Sequence, residues 1–169
     1  MSMRIQSIFT AIAATACATA LAAAPALASG SPHFVKNLTR VTDADLSSVT
    51  VAFKEAGLES GSVETIIVTA HLDATYQCVN RGGHNPDDPK KTVISGDYSK
   101  SGEFKAAKNG NVTGSLTVTA PAPSTVLDCP NGQKAVHTVS TWSSISVTDE
   151  DSLATITVPG TFSCGKPVD

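Results

Sequence analysis

From Glu64 to Cys78 the chain alternates with a period of two. Ile66, Val68, Ala70, Leu72, Ala74, Tyr76 and Cys78 are apolar or readily buried, while Thr65, Thr69, His71, Asp73, Thr75 and Gln77 are polar; Ile67 alone breaks the pattern. That period predicts a β-strand with one buried and one wetted face. Shorter stretches repeat it. Val49, Val51 and Phe53 alternate with Ser48, Thr50 and Ala52, ahead of turn glycines Gly57 and Gly61. Residues 92–95 and 97–104 read as one interrupted strand. Asn109-Gly110 is a dipeptide favoured in tight hairpin turns. Beyond it, Val112, Gly114, Leu116, Val118 and Ala120 alternate with threonines and a serine until Pro121-Ala122-Pro123. Residues 135–147 and 152–162 form a last pair, joined through the acidic turn Asp149-Glu150-Asp151. In 135–147 the apolar positions change parity between Val139, Trp142, Ile145 and Val147, which predicts a β-bulge. Residues 43–48 carry the only helical hint.

Roughly six to eight strands rich in Thr, Ser and Val imply an all-β fold, a single antiparallel β-sandwich with immunoglobulin-like layers. A closed β-barrel is the alternative. Periodicity does not encode strand order.

Residues 1–28 stand outside this pattern and are expected to be a cleaved signal peptide. Arg4 supplies a positive start, an uncharged Ala-rich apolar run follows, and Ala26-Leu27-Ala28 is a small-x-small cleavage site. Acylation at Cys17 is disfavoured, because Ala14 stands where an aliphatic residue is usual and the run stays apolar past Cys17. Cleavage takes 28 of the 169 residues and leaves 141, suited to one domain, 29–169. Loss of Arg4 lowers the basic count from 12 to 11 against 15 acids, a net charge of −4. This mild acidity, without a basic stripe, argues against nucleic acid and anionic membranes as partners. No later segment is apolar for long enough to span a bilayer. The expected product is secreted and extracellular, with cell-wall association as a variant.

Three cysteines survive cleavage: Cys78, Cys129 and Cys164. Export implies a disulfide, and an odd count leaves one thiol over. Cys78 and Cys129 both border turn-rich loops and are the favoured pair, leaving Cys164 as the leftover thiol. His71 and Asp73 share the polar face of the long strand, and with His137 they form a weak candidate metal set; two polar residues on a wetted face is the simpler account. Arg81, His84, Asp87 and Asp88 lie in a loop dense in glycine and proline, the candidate binding loop. Asp149-Glu150-Asp151 offers oxygens for calcium, although three acids in a turn are ordinarily just solvated. The chain has no Gly-x-Ser-x-Gly elbow, P-loop or His-Glu-x-x-His, and no cofactor is implied.

Several segments carry a resemblance: Ser31-Pro32-His33-Phe34, Phe53-Lys54-Glu55-Ala56-Gly57-Leu58, Tyr76-Gln77-Cys78-Val79-Asn80-Arg81-Gly82-Gly83 and Cys129-Pro130-Asn131-Gly132-Gln133. Together they resemble a family of small secreted, uncharacterised microbial proteins, mainly actinobacterial. The resemblance implies export, a β-rich single domain and the Cys78–Cys129 pairing, and it implies no activity. Cys164 is not among the family's features.

The expectation is an exported, non-enzymatic binding module with an extracellular or cell-envelope partner. A secreted protease inhibitor is one alternative. A metal-dependent hydrolase using His71, Asp73 and His137 is a weaker one.

Overall fold

The structure, a computed structural model, describes residues 30–80, 82–83 and 90–166. Two antiparallel sheets pack face to face. In the first, β3 (Ser48–Ala56) is central. One of its edges carries β1 (His33–Phe34) and β2 (Arg40–Ala44) end to end, and the other carries β6 (Val112–Thr119). The second sheet is built on β4 (Val63–Asn80), which lies between β5 (Lys91–Lys105) and β7 (Gln133–Asp149). The far edge of β7 carries β8 (Thr155–Val158) and β9 (Phe162–Gly165), again end to end. The sheets do not close into a barrel; the sandwich is the fold. A short helix, α1 (Pro123–Val126), follows β6.

The core follows the alternation. Val49, Val51 and Phe53 of β3 and Ile66, Val68, Ala70, Leu72, Ala74 and Tyr76 of β4 are all buried, and they meet Trp142, Ile145 and Val147 of β7 in one apolar cluster. Phe104 of β5 reaches across to the first sheet and packs edge-on against Phe53, with ring centroids 5.1 Å apart. Gly114 makes room for it: a Cβ there would sit 2.4 Å from the Phe104 ring. On the exposed edge strand β5, Lys100 pairs with buried Val68 and so occupies a core-facing position. A charge so placed discourages edge-to-edge association.

The expected bulge is present, and a second joins it. β7 shifts register against β4 between the partners of Thr69 and His71, and again between those of Thr75 and Tyr76. At the first shift Ser144 takes a positive φ of 48°. The extra residue returns Trp142 and Ile145 to the same face.

Three expectations are corrected. Asn109-Gly110 does turn the chain, with Gly110 at φ 69°, but β5 and β6 join different sheets and form no hairpin ladder. Residues 152–162 are not one strand. The chain breaks at Pro159-Gly160, where φ is 127°, and resumes as β9. Residues 43–48 are not helical: Ala44 ends β2, and Asp45 Oδ1 accepts the backbone N–H groups of Ser47 and Ser48, both at 2.7 Å. That turn is held from the opposite sheet. Cys164 Sγ, Trp142 Nε1 and Ser140 Oγ donate to the successive carbonyls of Ala44, Asp45 and Leu46.

Candidate functional site

The long strand β4 ends at Cys78–Asn80, and the next strand starts at Lys91. Cys78 is bonded to Cys129, and its N–H donates to the Lys90 carbonyl at 2.9 Å. Gln77 pairs with Lys91, and Lys90 Nζ donates to the Asp128 carbonyl at 2.8 Å. Both stems of the intervening segment are thus fixed to the sheet and to each other. The bridge closes a separation of 51 residues, worth about 4 kcal/mol in the chain-entropy model. Arg81, His84, Asp87 and Asp88 lie outside the described residues. Among the described residues Cys164 is the free thiol, half-buried in β9.

His71 and Asp73 share the outer face of the second sheet, but His137 does not join them. The register sets His137 opposite Tyr76, on the inward parity, while Asp73 faces Thr141. The two rings stack, centroids 4.4 Å apart. His71 instead bonds Asp97 at 2.7 Å and Ser95 at 3.1 Å, with Asp73 at 3.7 Å. The Asp97 hydrogen bond holds the imidazole above its ordinary pKa. Burial pushes His137 the other way. Its Nε2 lies 2.8 Å from Ser140 Oγ, whose only proton goes to Leu46. The imidazole therefore donates to the serine, so this Ser–His contact is a structural bond and not an activated nucleophile.

The acidic cluster lies at the other end of β4, about 45 Å away along the strand. Glu55, Glu64 and Asp149 each sit one alternation step beyond an apolar core residue (Phe53, Ile66 and Val147), so their carboxyls share the core face. All three are buried, while Asp151 in the following turn is exposed. Carboxyl oxygens of Glu64, Asp149 and Asp151 lie within 4.8 Å of one another. Burial first, and then the negative charge of Asp149, push Glu55 up to about 7, although Ser152 donates to its Oε1 at 3.1 Å. Glu55 and Asp149 lie within hydrogen-bond reach of each other, and with both ionised, Glu55 Oε2 and Asp149 Oδ2 are buried without a donor. Among the described residues the only ion pairs are those of His71, so no lysine or arginine offsets these acids. The cluster opens on a recess lined by Gly57, Glu59, Ser62, Glu64, Asp151 and Ser152. The acidic turn of 149–151 was legible in the sequence, but Glu55 and Glu64 were overlooked. Extending each alternation by one residue finds both.

No family model matches the chain, and no curated protein matches it. Among solved structures it is similar to Spo0M, a sporulation control protein from Bacillus subtilis, at 9% identity, over 82% of this chain and 51% of that one, with a TM-score of 0.34. It spans about half of that protein's length, and a likeness at this level carries no argument about function. No helix among the described residues is long and apolar enough to cross a membrane.

Proposed function

We propose that the protein is an exported, non-enzymatic β-sandwich that binds an extracellular or cell-envelope partner through the segment between Asn80 and Lys91. The observation that carries this reading is the bracing of both stems: the Cys78–Cys129 bridge, the Cys78–Lys90 backbone bond and the Lys90–Asp128 bond. Stems held this firmly lower the ordering cost of recognition, and rigid scaffolds commonly present their binding residues on such connections. The segment between them carries Arg81, His84, Asp87 and Asp88, charges of both signs. Export is supported by the leader-like residues 1–28 and by a disulfide that needs an oxidising compartment. The hydrolase alternative loses its basis, since His137 stands apart from His71 and Asp73.

The test is capture from the producing organism's culture medium and cell wall, with the disulfide intact. One dominant partner should be retained, and replacing Arg81, His84 and Asp88 together with Ala should release it while the melting temperature stays unchanged. Equal capture by that variant would refute the assignment.

A further inference from the structure

We infer that Glu64, Asp149 and Asp151 form a site for a divalent cation of the calcium class at the end of the sandwich remote from the partner-binding segment. The geometry fits: ligands 2.3–2.6 Å from one calcium ion can stand at most about 5 Å apart, and these carboxyl oxygens are all within 4.8 Å. Each carboxylate is also oriented by a donor on one oxygen. Ser62 Oγ donates to Glu64 Oε1, the Asp151 N–H to Asp149 Oδ1 at 2.9 Å, and the Thr65 N–H to Asp151 Oδ2 at 2.7 Å. Such supporting bonds fix ligands in position and leave the other oxygen of each group for an ion.

The independent observation is the pair of buried orphan oxygens. Asp149 is fully buried, and Glu55, equally buried, lies within hydrogen-bond reach of it; with both groups ionised, Asp149 Oδ2 and Glu55 Oε2 have no partner. A buried polar atom so placed costs free energy unless something answers it. An ion is answered by oxygen alone here, without histidine or thiolate, which is the donor set of calcium and not of zinc. The recess lined by Ser62 and Ser152 gives the ion a route in and room for the water ligands that would complete its shell. The competing account is a proton shared between Glu55 and Asp149, which needs no metal.

The test strips the protein with a chelator and titrates it with calcium chloride at pH 7.5, by calorimetry and by thermal melting. One saturable site is expected, with a dissociation constant of about 10⁻⁴–10⁻³ M, the range of extracellular calcium modules, and a melting temperature that rises with calcium. Asp151→Asn, at an exposed position and with an amide oxygen that can still accept from the Thr65 N–H, should weaken binding by about tenfold or more. Glu64→Gln should do the same, and Glu103→Gln on the edge strand should bind like the parent. No heat and no melting shift up to about 10 mM calcium would overturn the proposal in favour of the shared proton. So would unchanged affinity in both Asp151→Asn and Glu64→Gln.

Discussion

Two clusters of buried polar groups bridge the layers of this sandwich, and they are built in opposite ways. At the turn after β2, three donors from the second sheet (Ser140, Trp142 and Cys164) meet three successive carbonyls, Ala44 to Leu46. Donors and acceptors match, and nothing is left over. At the end of β4 the balance fails once the acids are ionised: Glu55, Glu64 and Asp149 then bring acceptors only, serine hydroxyls and backbone N–H groups answer some of them, and two oxygens remain orphaned. A closed network specifies a core, whereas an open one that keeps its charge invites a ligand or a proton. The first cluster is scaffold and the second is a site.

Substitutions in the two clusters should therefore act with opposite signs. The largest effect is expected for Trp142→Ala, which empties a fully buried ring position and removes the donor to Asp45; a loss of about 3–5 kcal/mol should be read from urea unfolding. Next comes Glu55→Gln, measured in chelator at pH 8. It replaces a carboxyl pushed up to about 7 by burial and by Asp149, and a gain of about 2–3 kcal/mol is expected. A loss there would break the comparison. The same group sets a pH dependence. Because the folded state holds the Glu55 proton more tightly than the unfolded chain, its contribution is full below the ordinary value of 4.5 and is lost as pH rises towards 7. Chelated protein melted across this window should show that decline, and Glu55→Gln should flatten it.

Smaller effects follow. Ser140→Ala leaves the Leu46 carbonyl without its donor and should cost about 1–3 kcal/mol, again by urea. The exposed His71 patch should matter least to stability. Its raised pKa means that any favourable contribution is present below the ordinary 6.5 and is lost as pH climbs through the folded value. A proton NMR titration should place His71 above 6.5, and Asp97→Asn should bring it back down.

Much of the scaffold was legible from residue order. The alternation of 64–78 fixed the long strand and its buried face, and the parity change before Ile145 disclosed a bulge. Short strands with little periodicity, β1 and β2, were not legible. Residues 43–48 hinted at a helix because the donors that hold that turn come from Ser140, Trp142 and Cys164, 94 to 120 positions away. Asn109-Gly110 encodes a turn but not which sheet the next strand will join. The acidic end lay between these cases. Its individual members sit on visible core positions, yet only the register of Ile66 with Asp149 brings the ends of β4 and β7 together.

The claim that the open cluster is a ligand site is tested most directly by a crystal structure of the protein grown with calcium chloride. The account predicts an ion bonded to Glu64, Asp149 and Asp151 at about 2.3–2.6 Å, identified by its anomalous signal. Contradiction would be a site without an ion, with Glu55 and Asp149 drawn together in a carboxyl–carboxylate hydrogen bond.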